Sequence, residues 1–323
     1  MLNMMNVVLN VKDKQILWEL DRNSRQTLSE IAKKVGMSKE AVHYRIRNLE
    51  GKKIIMGYTI MVSLAKLNLM HVKLLIKLQN IGREKKKEMI DYLIKNQNTN
   101  WVGTCNGSCD LIVGFVVGNL AEFNYIKEEL FNKYSQFILK SPNSIMLEAQ
   151  IYGRKYLEGK GQKTRHYIGT PEEIKMDKID FKILKLLSEN SRMKTIDIAY
   201  KLRTTARKVA YKIKQMEKHK IIQKYTISIN HSLLGISFFK SFVHLRSTKN
   251  KKELLNFLEN QKNCLHNVEV LSEWNLEPEF EVNSTEEFYK IMEELEDKFS
   301  DQIKTIDTIL ISKEHKFSPL PRV

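Results

Sequence analysis

TLSEIAKKVGMSKEAVHYRIRNLE, residues Thr27–Glu50, holds two helical periods separated by a tight turn. Leu28, Ile31, Ala32 and Val35 recur three and four residues apart, which predicts one buried helical face. Gly36 supplies the backbone freedom that a sharp turn needs. Ser38 then offers a hydroxyl to an unpaired N–H at the start of the next helix. In that helix Val42, Ile46 and Leu49 form an apolar stripe, while Lys39, His43, Tyr44, Arg45 and Arg47 occupy the other face. A basic helix held by a capped turn can enter a DNA major groove. The plainer alternative is a helical hairpin with a solvated charged face.

The segment recurs 167 positions later. Asp13–Ile60 aligns without a gap on Asp180–Ile227, with 20 of 48 positions identical. Ile16, Leu17 and Leu20 return as Ile183, Leu184 and Leu187, as a repeated core would require. Asn23-Ser24-Arg25 returns as Asn190-Ser191-Arg192, and Tyr58-Thr59-Ile60 as Tyr225-Thr226-Ile227. The repeated Ser, Arg and Tyr residues are harder to explain as core. A period this long makes each copy a domain-sized unit rather than a solenoid repeat.

At 323 residues the chain exceeds what one hydrophobic core usually serves. With 42% hydrophobic and 28% charged residues it has a globular composition, and no apolar run approaches the roughly 18–20 residues of a membrane span. The opening MLNMMNVVLN lacks a basic n-region and cleavage site and is expected to be a loose lead-in. Cys105, Cys109 and Cys264 form no even disulfide framework, which suits a reducing cytoplasm. Their spacing does not match a zinc site, so no metal is expected. Net charge is +16, distributed as +5 over residues 1–60, +7 over 61–170, +8 over 171–228 and −4 over 229–323. Uniform lysine enrichment would not change sign in this way, whereas a polyanion touching the helical segments would account for it.

Beyond Leu67 the period changes from helical to alternating. Val72, Leu74, Ile76 and Leu78 predict a half-buried strand, followed by a helix over Glu84–Lys95. Strands over Asn100–Thr104 and Leu111–Val117, a helix over Leu120–Tyr134 and a strand over Ile145–Ile151 complete a βαββαβ order. The same plan follows the second copy. The expected fold class is α+β: two winged helix-turn-helix domains (1–60 and 171–228) alternating with two ferredoxin-like domains (61–152 and 229–323). Lys53–Ile60 is expected as a wing or as a strand leading out of the helices. Residues 153–170, rich in Gly, Lys and Arg, are expected as a flexible linker. Gly153–Gly161 misses the phosphate-loop spacing and lacks its Ser or Thr.

In this order the elements resemble the Lrp/AsnC, or feast/famine, regulators. The likeness rests on Asp13-Lys14-Gln15-Ile16-Leu17, Asn23-Ser24-Arg25, Ile31-Ala32, Val35-Gly36-Met37-Ser38, Val42, Arg45, Ile46, Leu49 and Ile54-Ile55. Gly107-Ser108-Cys109-Asp110-Leu111 is similar to the family's Gly-x-x-Asp signature. The resemblance implies sequence-specific transcription regulation by duplex-DNA binding through Ser38, Lys39, His43, Tyr44, Arg45 and Arg47. In the second copy the matching set is Thr205, Arg207, Lys208, Tyr211, Lys212 and Lys214. Tyr44 and Tyr211 are either core-edge aromatics or phosphate contacts. The family also implies pairing of effector domains, within one chain or as a homo-oligomer, and a small-molecule effector such as an amino acid near Gly107 and Asp110. Those two residues could equally make a hairpin turn. The second copy departs: Arg203-Thr204-Thr205 replaces Gly36-Met37-Ser38, and Ser272-Glu273-Trp274-Asn275 lacks the signature glycine.

Siroheme decarboxylases of haem biosynthesis share this fold and are enzymes. Their His-Asn pair and Asn-Leu-Trp-Phe run compare with His266-Asn267 and Asn275-Leu276 here, but Glu277-Pro278 stands where Trp and Phe would be. No nucleophile–base, metal or dinucleotide motif accompanies them. The expectation is therefore a regulator without enzymatic activity or cofactor.

Overall fold

The computed structural model describes residues 7–157, 165–168 and 174–321. The first copy begins with α1 (Val11–Arg22), α2 (Leu28–Val35), α3 (Lys39–Gly51) and β1 (Ile55–Val62). It continues through β2 (Met70–Leu78), α4 (Arg83–Lys95), β3 (Thr99–Gly107), β4 (Leu111–Val117), α5 (Leu120–Tyr134), β5 (Ile138–Lys140), β6 (Asn143–Ile151) and β7 (Arg165–Ile168). The second has α6 (Lys178–Glu189), α7 (Thr195–Lys201), α8 (Ala206–Lys218) and β8 (Ile222–Ile229). It ends with β9 (Ser237–Leu245), α9 (Lys251–Asn260), β10 (Cys264–Leu271), β11 (Leu276–Val282), α10 (Thr285–Lys298) and β12 (Ile303–Phe317).

Local chemistry sets the helix ends. Thr27 and Glu30 form a reciprocal capping box at α2, and Asp177 with Asp180 does the same at α6. Gly36 ends α2 at φ 62°, where a side chain is disfavoured. Ser38 and Thr205 accept bonds from Ala41 N and Lys208 N at the starts of α3 and α8.

β1 does not fold back as a wing. It is an exit strand, and it pairs antiparallel with β8 of the other copy, with Thr59 opposite Thr226. Each helical core is thereby completed by its counterpart: Ile227 and Ile229 pack with Ile16, Leu20 and Val42, while Ile60 and Val62 pack with Ile183, Leu187 and Val209.

The remaining strands form one sheet in the order β5-β2-β4-β3-β12-β9-β11-β10-β6-β7. Because β6 also pairs with β2, the strands from β2 round to β6 close on themselves. The two ferredoxin-like halves meet at two seams, β3–β12 and β10–β6. Helices α4 and α5 cover the outside of one half, and α9 and α10 the other. Inside the ring lie Leu75, Trp101, Ile112, Phe242, Val268, Trp274 and Ile309.

The described parts of the expected linker are docked. Tyr152 and Gly153 donate backbone bonds to Leu265 O, Arg154 and Lys155 are enclosed by ion pairs and burial, and β7 pairs with β6. Residues 158–164 and 169–170 lie outside the described residues. After Phe317 the chain is irregular, and Leu320 is buried against the second helical core.

Candidate nucleic-acid interface

Helices α3 and α8 present unlike outer faces on like inner faces. Val42, Ile46 and Leu49 are buried on α3, as are Val209, Ile213 and Met216 on α8. Lys39, His43 and Arg47 are exposed, as are Thr205, Arg207, Lys208 and Lys214. Tyr44 is 72% exposed and Tyr211 63%, which removes the core-edge reading for both.

Two residues expected on the DNA face serve the protein instead. Arg45 bonds Asp13 at 2.8 Å, tying α3 to the start of α1. Lys212, its counterpart, bonds Asp177 and Asp180 at 2.8 and 2.9 Å and has only 14% of its side chain exposed. Burial alone would lower the Lys212 ammonium, but bonds to Asp177 and Asp180 raise it. Their spacing on the polar face could not distinguish a free cation from one held by another helix.

The repeated Asn-Ser-Arg and Tyr residues lie where the copies meet. Ser24 and Ser191 Oγ atoms are 2.6 Å apart and buried. Arg25 donates to Ser191 O at 2.7 Å and Met193 O at 3.1 Å, while Arg192 donates to Ser24 O at 2.5 Å. Each guanidinium lies over the opposite copy's tyrosine, Arg25 on Tyr225 and Arg192 on Tyr58. Those phenols donate to Glu217 and Glu50, each at 2.6 Å. Burial first, then the carboxylate, pushes both phenols upward. The repetition in sequence is thus the self-complementarity of a two-fold contact, realised inside one chain.

One side of this contact carries a buried ionic network. Asp21, 1% exposed, meets Lys224 at 3.0 Å, Arg154 at 2.7 Å and the Thr226 hydroxyl at 3.1 Å. Arg154 continues to Glu281 at 3.1 Å, and Glu281 also meets His231 at 2.6 Å and accepts from Tyr156. Burial alone would raise the Asp21 carboxyl, yet Lys224 and Arg154 hold it below the usual range. Sequence reasoning missed this network. Its only trace was a pair of unmatched repeat positions, Asp21 against Ser188 and Gly57 against Lys224.

At the first seam, Gly107 has φ 130°, and a Cβ there would lie 2.3 Å from Thr308 O on β12. Asp110 accepts from Leu78 N at 2.8 Å and lies 3.5 Å from Lys77 Nζ. In the second copy Asn275 accepts from Leu245 N at 2.8 Å, and Ser272, in place of the glycine, donates to Asn143 O at 2.9 Å. The signature residues therefore fasten hairpins and seams in both copies.

Inside the ring Glu277 is fully buried between Lys73, with which it is in contact, and Lys240 at 2.8 Å, and it accepts from Ser144 and Trp274. Burial pushes Lys73 down to about 8 against the pull of Glu277. His266 is held by Glu279 at 3.1 Å. No group of three or more potential metal ligands occurs among the described residues, and none of their helices is long and apolar enough to cross a membrane.

The winged helix-turn-helix DNA-binding family matches residues 9–56 and 176–223. An HTH-type transcriptional regulator of Pyrococcus furiosus is 30% identical over 120 residues, covering 37% of this chain and 80% of that protein. The HTH-type regulator LrpB of Bacillus subtilis is 33% identical over 85 residues, 26% of this chain and 57% of LrpB. The chain belongs to the Lrp/AsnC family. It is a duplicated member, with both helix-turn-helix copies in one polypeptide. The chain spans about half the length of the curated relatives it matches, such as LrpB. The solved structure of the siroheme decarboxylase NirDL is similar across 97% of this chain and 96% of that one, with a TM-score of 0.64 and 12% identity. At that identity the likeness describes the fold alone.

Proposed function

We propose that this Lrp/AsnC member is a cytoplasmic, sequence-specific regulator of transcription that binds duplex DNA as an intrachain pseudo-dimer. The observation that carries the reading is the pair of capped, basic third helices mounted on one two-fold contact inside a single chain. Lys39, His43, Tyr44 and Arg47 of α3, with Arg207, Lys208, Tyr211 and Lys214 of α8, are the contacts proposed for the duplex. Homodimeric readers present identical helices and favour palindromes. Here Ser38-Lys39-Glu40-Ala41 faces DNA beside Thr205-Ala206-Arg207-Lys208. The operator should have two unlike half-sites about 10 base pairs, or a multiple, apart. Selection of binding sites from random DNA tests this: unlike half-sites support it, and a perfect palindrome defeats the intrachain reading.

An amino acid or similar metabolite is the proposed effector class. Lys77 and Asp110 leave 35% and 28% of their side chains exposed at the hairpin, a charge pair suited to a zwitterion. Calorimetry against the twenty amino acids, with Asp110→Ala as control, tests the assignment. Binding unchanged by the substitution would place the effector elsewhere.

The whole-length likeness to NirDL favours one second reading, a tetrapyrrole-binding decarboxylase. Against it, the position of the expected Trp holds Glu277, paired with two lysines in the ring interior. A Soret band on adding haem or siroheme to the purified protein would support the enzyme reading, and its absence together with salt-sensitive DNA shifts would support the regulator.

A further inference from the structure

The first seam contains a feature that neither DNA reading nor effector binding uses. Cys105 on β3 and Cys109 in the following hairpin have Sγ atoms 3.3 Å apart, and both are buried. Their backbones are fixed by Cys105 N to Asp110 O at 3.0 Å and Asp110 N to Ile76 O at 2.9 Å. Two thiolates sharing one tetrahedral metal ion, each about 2.3 Å from it, would lie about 3.8 Å apart. These sulfurs are already closer than that, and no third ligand group accompanies them among the described residues. A disulfide needs about 2.05 Å, which side-chain rotation of roughly an ångström can supply on this fixed hairpin. In the second copy the hairpin bond Val270 N to Asn275 O is preserved at 3.0 Å, but Val270 and Trp274 fill the space.

We propose that Cys105 and Cys109 are a modification site: a peroxide-responsive dithiol that closes to a disulfide across the first-copy hairpin, beside the β3–β12 seam. In the first step one thiol loses its proton and its sulfur attacks a peroxide oxygen. The O–O bond breaks, sulfenic acid forms and water leaves. In the second, the other sulfur attacks the sulfenic sulfur, the S–S bond forms, and the S–O bond breaks to release a second water. The two sulfurs together lose two electrons and hydrogen peroxide gains them. The hydrogen bond shared with Cys105, and then burial, push the Cys109 thiol upward, so the reaction is slow at neutral pH. Cys264, buried beside His266 O, lies apart from this pair and should stay reduced.

The test treats the full chain with hydrogen peroxide, unfolds it in an alkylating agent, digests it with trypsin and weighs the peptides. The expected product is a peptide holding both cysteines, unalkylated, lighter by two hydrogens, and restored by dithiothreitol. Cys105→Ser and Cys109→Ser should each abolish it, whereas Cys264→Ser should leave it. Both thiols alkylating after peroxide, sulfinic acid at either position, or a cross-link to Cys264 would overturn the proposal.

Discussion

Arg25 and Arg192 make matching bonds into opposite copies, whereas Asp21 and its counterpart Ser188 sit in unlike surroundings. The two helix-turn-helix copies have kept what a self-complementary contact demands from both partners at once. They have diverged where a residue answers only to its own side. Once both copies belong to one chain, a charge such as Lys224 can be added to one half without appearing in the other. The same logic separates the hairpins, where Gly107 and the cysteine pair face Ser272, Val270 and Trp274.

The strongest way to break this comparison is to remove the one-sided charge. Asp21→Ala removes the buried carboxylate that Lys224 and Arg154 share and should destabilise the fold by about 3–5 kcal/mol in denaturant unfolding. Ser188→Ala should stay within about 0.5 kcal/mol. Equal effects would mean that the network contributes nothing particular to this side. The network also predicts acid sensitivity. Burial alone would raise the Glu281 carboxyl, but Arg154 and His231 hold it down from 4.5 to about 2. Its contribution is complete above its unfolded value near 4.5 and is lost as pH falls toward 2. Glu281→Gln should therefore lose more stability at pH 7 than at pH 2.

Smaller effects test the shared contact. Arg25→Ala and Arg192→Ala should each cost about 1.5 kcal/mol, and by similar amounts, because each removes a charged donor to the other copy's carbonyls. Markedly unequal losses would argue against two-fold equivalence. Next is the turn. Arg203 occupies the position of Gly36 at φ 50°, a conformation that costs a side chain about 1 kcal/mol. Arg203→Gly should raise stability by about that amount, and Gly36→Ala should lower it.

The smallest effect separates a largely exposed cation from one held in the protein. Arg47 is 73% exposed, so Arg47→Ala should lower the slope of log affinity against log salt by about 0.9, roughly a 3.5-fold change between 50 and 200 mM. Arg45→Ala should chiefly lower stability, because its guanidinium is held by Asp13. If the two variants show the same salt slope, the division between DNA-facing and structural cations fails.

The sequence by itself determined the main helices and strands, their duplication and the family, though not the short β5 or the β7 that lies in the expected linker. Period, caps and turn residues are local, so Leu28, Ile31 and Val35, with Thr27 and Ser38, defined helices whose bounds the structure shifts by only a residue or so. The basic outer faces of α3 and α8 were legible for the same reason. Only the tertiary structure decided which charges are spent inside the protein. Arg45 and Lys212 read as free cations until α1 and α6 brought Asp13 and Asp180 to them. Arg154 read as linker until it bridged Asp21 and Glu281. Strand β1 read as a wing or an exit until β8 supplied its partner. These outcomes depend on contacts between residues 32 or more positions apart, and for Arg154 and β1 more than a hundred. Periodicity cannot report such contacts, because it specifies which face is buried but not what buries it.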